Sequence, residues 1–495
     1  MEFLVKKTGF SSGGPRIVYM NNNDATALGV HKGNRIMLSS GNYSSAVVVD
    51  ISYNNSIKRG SLSVNEEVRR ALGDSRKVKA ELIGKPISLY YIRQKIEGKE
   101  LKENEIRKII EDIVSHTIID FEISFFVAAG HVHGFTDNET IALTKAMIST
   151  GEILRFGNTM IYDKHCTGGV PNNRTTMIMV PILASLGLKI PKTSSRSITS
   201  PAGTADTMEV LANVHLSAQD IKRIVDKENG CIAWGGSLNL APADDAIINV
   251  EHPLGLDARG QLIASVLAKK ASVSSKKVLI DIPIGKNTKF KTRAQGNALK
   301  KKFELVGRKI GMDITTILTD GEEPIGRGIG PALEARDVLW ILENDSRAPK
   351  DLKEKSCMMA GILIEMSGKS PKGKGVVLAR NIIDSGEALK KMKSIIKAQG
   401  KKIDCSKDIK LAKYSYDIRV PKKGLLKGYH TSKLAVLCHL LGAPQDSRAG
   451  AYIHISPNSM VKKGDIMITA YADSLEKMKM AKSFIDEHHN TIPEY

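Results

Sequence analysis

The strongest constraint on this 495-residue chain is the stretch from Asp163 to Leu211, which is built twice on one plan. Each copy has a short apolar segment, a loop rich in Gly, Ser and Thr, and a helix-like run. In the first, Met160-Ile161-Tyr162 leads into Lys164-His165-Cys166-Thr167-Gly168-Gly169, and Met177, Ile178, Pro181 and Leu183 follow. In the second, Leu188 and Ile190 lead into Ser194-Ser195-Arg196-Ser197-Ile198-Thr199-Ser200, and Gly203-Thr204-Ala205-Asp206 follow. Strand, loop and helix in repetition predict parallel strands, and loops at the carboxyl ends of parallel strands are where α/β proteins bind ligands. Both loops are expected to face one crevice.

The chemistry these loops suit is anion binding. Glycines let backbone N–H groups approach an anion, hydroxyls add donors, and Lys164 and Arg196 supply charge, so phosphate is the natural guest. Asp206 with Glu209 reads as an N-cap and its capping-box partner, which places Gly203 and Thr204 just before a helix. Either loop alone is equally well read as an ordinary turn. Two in succession favour the ligand site.

KHxTGG with a Thr or Ser some ten residues on, followed by SxRxxxxxxGTxDxxE, resembles the signature of the thymidine and pyrimidine-nucleoside phosphorylases. The resemblance runs from about Ile87 to near the C-terminus, and within that family the chain is most similar to the archaeal AMP phosphorylases. It implies phosphate contacts from Lys164, Thr175, Ser194 and Thr204. It further implies that Gly169, the run Ser195, Arg196, Ser197, Ile198, Thr199 and Ser200, and Thr204, Ser265, Lys269 and Lys289 contact substrate. Cys166 stands where those enzymes carry a Ser, and a thiol is a weak donor toward phosphate.

Length predicts several domains, since one core seldom organises so many residues. The architecture expected is multi-domain α/β. Residues 1–84 read as a β-barrel, double-psi-like and of accessory or assembly use. Residues 86–157, with a contribution from about 242–275, read as a helical domain. Residues 158–410 form a central mixed or parallel α/β domain carrying the phosphate loops, and 411–495 a small α+β domain in which no site is evident. The barrel reading rests on β-rich runs at Arg16–Tyr19, Arg35–Leu38 and Ala46–Val49, and on two similar helix-to-glycine elements ending at Gly33 and Gly73. By the resemblance, ordinary nucleoside phosphorylases lack such a domain and AMP phosphorylases have one. His131 and His133 in AGHVHG are expected to be a structural loop pair, because no carboxylate or Cys cluster accompanies them.

Composition narrows the function. No apolar run could span a membrane, and the N-terminus lacks the core of a secretory signal, so a cytoplasmic protein is expected. Five cysteines without CxxC spacing suit free thiols rather than a disulfide frame or zinc site. The formal charge of +20 raises nucleic-acid binding, yet aromatics are only 5% and no basic segment interleaves them as a stacking platform. Much of the charge lies on helix-like runs such as Leu389–Lys397, the mark of a solvated face. GRGIG at 326–330 is not a dinucleotide fingerprint, and Gly368-Lys369-Ser370 is not a Walker loop. No metal or cofactor is expected, inorganic phosphate being a co-substrate.

On the base side, the pyrimidine enzymes place an Arg about fifteen residues before the Ser-x-x-x-Lys pair, here Ser265 and Lys269. This chain has Val250 there. Asp257 precedes Ser265 by two helical turns and is the candidate proton donor. Without the resemblance, a helix cap or surface carboxylate is its commoner fate. Lys289 stands where related enzymes have an apolar residue, and a cation there suits a substrate with an extra phosphate. The function implied is phosphorolysis of nucleoside 5′-monophosphates, giving adenine and α-D-ribose 1,5-bisphosphate from AMP, with CMP and UMP as further substrates and a homo-oligomer as the working form. The competing readings are a pyrimidine-nucleoside phosphorylase, a phosphoribosyltransferase of related fold, and a non-enzymatic RNA-binding protein.

Overall fold

A computed structural model describes the chain apart from Asn42, Asn54, Asn55, Asp74, Ile198, Thr199, Asn239, Asp257, His489, Asn490 and Tyr495. Two compact units divide it: Met1–Gly151 with Ala241–Ala268, and Glu152–Leu240 with Lys269–Tyr495.

The first unit opens with a closed six-stranded barrel, in spatial order Glu2–Lys7, Ser61–Val64, Ile17–Asn21, Tyr43–Ser52, Arg35–Ser40 and Lys77–Leu82. Two of its pairings are parallel and the others antiparallel. Alternation along each strand turns Phe3, Val18, Met20, Ile36, Leu38, Val47, Val49, Leu62, Val64 and Val78 into one apolar interior. The helices Asn22–Leu28 and Glu66–Leu72 start on Asn21 and Asn65, whose side chains accept from Asn23 N and Val68 N. The first of them stops at the left-handed Gly29, four residues before Gly33.

The rest of this unit is a helical bundle of Ser88–Ile96, Glu103–Val114, Asp120–His133, Asp137–Thr150, Pro242–Leu254 and the start of Arg259–Ser272. Ile106, Ile109, Ile110 and Ile113 face its core together with Leu143, Ala146 and Met147. Lys95 and Glu139 form a buried ion pair, Nζ donating to both carboxylate oxygens at 2.8 Å, and Leu101 N adds a third bond at 2.9 Å. His131 and His133 lie in the last helical turn rather than in a loop, and His133 Nε2 meets Ile96 O at 3.0 Å.

The second unit holds the α/β domain. Tyr162–Cys166, Lys277–Ile284 and Asp313–Asp320 are parallel, with the middle one of the chain at the centre. A parallel bridge from Ile161 to Lys189 leads on to a further parallel pair, Ile190–Ser194 and Gly230–Trp234. The helix Thr175–Ser185 is apolar on every side and almost wholly buried, Pro181 included, as an element wedged inside a domain must be. The helix Glu387–Ala398 turns Ala388, Met392, Ile395 and Ile396 inward and leaves Lys390 and Lys397 in solvent. A four-stranded antiparallel sheet, in order Gly328–Ile329, Gly450–Ile453, Ile466–Ala472 and Tyr414–Arg419, closes the chain with the helices Thr431–Leu441 and Leu475–His488. Its edge strand comes from a third glycine-rich loop, residues 321–330, which contains GRGIG.

Two local readings are corrected. The strand expected to end at Tyr162 runs on through Cys166, so Lys164, His165 and Cys166 are strand residues and the loop begins at Thr167. Asp206 is not an N-cap but the third residue of helix Thr204–Leu211, which starts on Gly203. Its carboxylate reaches back to Gly203 N at 2.9 Å and Ser197 N at 2.7 Å, holding the loop onto the helix start.

Candidate active site

Around the carboxyl end of Tyr162–Cys166 the second unit collects most of the side chains singled out from the sequence. Lys164 is 2% exposed and its Nζ donates to Thr175 Oγ1 at 2.9 Å. Burial drives this ammonium below the usual lysine value, opposed by Cys166 and Asp281 and aided by Lys355 and Arg174. Cys166 accepts from Asn173 Nδ2 at 3.2 Å; burial pushes its thiol up to about 11, so it stays protonated.

Two glycines let the loops close on this centre. A Cβ on Gly169, at φ +94°, would stand 2.8 Å from Thr288 Cα and 3.3 Å from Lys289 N. Gly169 and Lys289 are therefore brought together, and Lys289 is exposed there. A Cβ on Gly203 would lie 2.6 Å from Arg196 C and Ser197 N, so the second loop is laid directly on the start of its helix.

Arg174 joins the two loops, a role sequence reading missed. Its Nη1 donates to Thr204 Oγ1 at 2.7 Å, its Nη2 to Ala202 O at 2.9 Å, and its Nε to buried Glu334. Because Thr204 Oγ1 accepts here, its own proton is left to donate. Lys355 was missed as well: its Nζ lies 3.6 Å from Asp281 Oδ2, while Thr319 Oγ1 donates to Asp281 Oδ1 at 2.6 Å. Arg174 sits inside the signature stretch, where its adjacency to Thr175 is a usable signal; nothing local marks Lys355.

Arg196, expected to bring charge to an anion, has that charge compensated. Nη1 donates to Asp206 at 2.8 Å and Glu209 at 2.7 Å, and the guanidinium lies 5.0 Å from the Trp234 ring centroid. Ser195 is exposed with its carbonyl accepting from Ala205 N, Ser197 Oγ donates to Ser200 O, and Ser200 Oγ donates to Ala202 O at 3.0 Å. Ile198, Thr199 and Asp257 lie outside the described residues. Ser265 and Lys269 are one turn apart on Arg259–Ser272, both partly exposed, the former in the first unit and the latter in the second.

Buried donors are left over at this centre. Ser194 Oγ, Thr167 Oγ1 and Lys355 Nζ are all shielded from solvent without a hydrogen-bond partner. Buried polar groups are nearly always satisfied, so three orphan donors in these loops and the helix behind them fit an anionic oxygen-rich ligand. The starts of helices Thr175–Ser185 and Thr204–Leu211 add oriented backbone N–H groups. Among the described residues, no group of three or more His, Cys, Asp or Glu is placed to hold a metal ion, and no helix is long and apolar enough to cross a membrane.

Family models match both parts of this architecture: the helical bundle domain of the glycosyl transferase family covers residues 89–151 and its a/b domain residues 158–389. The AMP phosphorylase of Methanococcus vannielii is 40% identical over 474 residues, which is 94% of this chain and 93% of that protein. The putative thymidine phosphorylase of Legionella pneumophila (strain Paris) is 44% identical over 409 residues, 82% of this chain and 78% of that one. Among solved structures, the anthranilate phosphoribosyltransferase from Thermus thermophilus has a TM-score of 0.52 at 18% identity, covering 62% of this chain and 98% of its own, a likeness of fold. The protein is an enzyme, a pentosyltransferase. It belongs to the thymidine phosphorylase and AMP phosphorylase family.

Proposed function

We propose that the enzyme cleaves nucleoside 5′-monophosphates by phosphorolysis, converting AMP and inorganic phosphate to adenine and α-D-ribose 1,5-bisphosphate, with CMP and UMP as further substrates. The observation that carries the phosphate half is the buried set of Lys164 and the unpaired Ser194 and Thr167 hydroxyls. The nucleotide half is supported by the AMP phosphorylase match, which runs over 94% of the chain, and by the exposed cation Lys289 beside Gly169.

Phosphate held by Lys164, Thr175, Ser194 and Thr204 presents an oxygen to C1′. That C–O bond forms as the C1′–N bond breaks through an oxocarbenium-like state, and the fixed donors stabilise the separating charge. Asp257 delivers a proton to the leaving base, at N7 for adenine, while Ser265 and Lys269 contact the base and Lys289 the 5′-phosphate. A positioned acid contributes roughly 10²- to 10⁴-fold. The working form is a homo-oligomer assembled through the barrel; light scattering of a chain lacking residues 1–84 should show a smaller assembly.

The deciding experiment compares AMP with adenosine under saturating phosphate. A specificity constant far higher for AMP is expected, and equal constants would sink the nucleotide reading. Lys289→Ala should raise the KM for AMP by about tenfold or more, as loss of a charge-assisted bond does, with phosphate KM unmoved. Asp257→Asn should lose most turnover of AMP but much less with an activated leaving group. The similarity to the Legionella protein favours one second reading, a pyrimidine-nucleoside phosphorylase, which the same assay extended to thymidine and uridine separates.

A further inference from the structure

The strand Tyr162–Cys166 carries ionisable groups on both faces, and the phosphate reading uses only one. Lys164 and Cys166 point one way, Asp163 and His165 the other. Asp163 is fully buried and serves two lysines. Lys270 Nζ donates to its Oδ2 at 2.8 Å, Ser275 Oγ reaches the same oxygen at 3.4 Å, and Lys192 Nζ lies 3.6 Å from Oδ1. Lys192 is 5% exposed, and its Nζ makes its short hydrogen bond, 2.6 Å, to Thr193 O.

Among the described residues, the charged groups that act most on Lys192 besides Asp163 are the lysines Lys270 and Lys164. His165 stands beside Asp163, and burial together with Lys270, Lys192, Lys164 and Lys269 keeps its imidazole neutral. Cys231, on the adjacent strand, is a thiol pushed up to about 12 by burial. Lys270 and Lys164 are cations. Burial drives the Lys192 ammonium down, Asp163 opposes this, and Lys270 adds to it.

On this face of the strand the two buried lysines Lys192 and Lys270 share the one carboxylate of Asp163, a formal excess of one positive charge among the three groups. Unmatched buried ammonium groups are costly, and a lysine so placed gives up its proton unless an anion arrives. A phosphate dianion brings the negative charge that this pair of lysines lacks. Lys192 alternates with Ser194 on the strand Ile190–Ser194, so both project to one side of it.

Resting on the phosphate reading above, we infer that Lys192 is the proton-uptake group of phosphate binding: neutral in the phosphate-free enzyme, it takes up one proton as the dianion binds. It acts through charge, as a positioning residue, and makes the enzyme select dianion plus proton as a unit. Phosphate affinity then falls as pH rises past the point where uptake must be drawn from an increasingly basic solvent.

The test is calorimetric titration of the full-length enzyme with inorganic phosphate at pH 8, in two buffers of different ionisation enthalpy. Wild type should take up close to one proton per phosphate. Lys192→Arg, which stays charged, should bind phosphate with little or no uptake, and Lys192→Met should bind it more weakly, also without uptake. Binding by wild type without proton uptake overturns this inference alone. So does uptake that persists in Lys192→Arg, the variant that decides if Lys192→Met fails to fold. Wild type that binds no phosphate overturns both the inference and the phosphate reading.

Discussion

The barrel and the α/β domain bury their strands in opposite ways. Among the described residues, the six barrel strands bury no charged side chain; their inward positions are aliphatic or aromatic with an occasional Ser or Asn, and charge is left on the outward positions of segments such as Lys77–Leu82. The α/β strands bury Asp163, Lys164, Lys192 and Asp281. Apolar burial stabilises at about 25 cal/mol per Å², whereas each buried ion costs several kcal/mol before its partners repay it. A chain that accepts the second cost in one domain and avoids it in the other has placed its chemistry in the first. The barrel interior is built for stability, while the α/β centre gives up stability to hold buried charge.

The sharpest way to break this contrast is Lys164→Met. It should leave the far-ultraviolet circular dichroism intact and lower phosphorolysis by roughly 10²- to 10³-fold, the usual cost of one preorganised donor to transition-state charge. Near-native turnover would reduce the charged centre to a structural polar core. The reciprocal change, Leu62→Ala in the barrel interior, should cost about 2–5 kcal/mol of stability in denaturant titration, with turnover per folded molecule unchanged. A turnover loss at full folding would tie the barrel to the chemistry.

A smaller effect should come from Glu323. Its carboxylate accepts from Tyr429 N at 3.0 Å and packs against Gly428, binding the third glycine-rich loop to the C-terminal segment. Burial, with Glu494, Asp320 and Glu322 adding and the Tyr429 N–H opposing, raises its pKa from 4.5 to about 7. A carboxyl raised on folding favours the protonated folded state. Its contribution to stability is therefore complete below about pH 4.5 and is lost as pH rises through 7. Glu323→Gln should flatten that part of the stability profile; an unchanged slope of melting temperature between pH 5 and 8 would show that the carboxylate is well hydrated there.

What the sequence determined by itself was local in origin. Periodicity marked the barrel strands Ile17–Asn21, Arg35–Ser40 and Tyr43–Ser52, and Gly168-Gly169 in one loop and the Ser/Thr-rich run up to Gly203 in the other marked the two loops, because strand alternation and backbone freedom are properties of neighbouring residues. The capping template nevertheless misplaced Asp206, since a carboxylate serves equally from the third helical position when the preceding loop folds over it. Only the tertiary structure decided the electrostatics. Arg174 meets Glu334 across 160 residues and Asp163 meets Lys270 across 107. The same folding turned Arg196 from a ligand-binding charge into a compensated one and set the buried amines of Lys355 and Lys192 each 3.6 Å from its nearest carboxylate oxygen. The reason is physical: a side chain's charge is read from its type, but whether that charge is free depends on burial and on partners that the fold alone brings within reach.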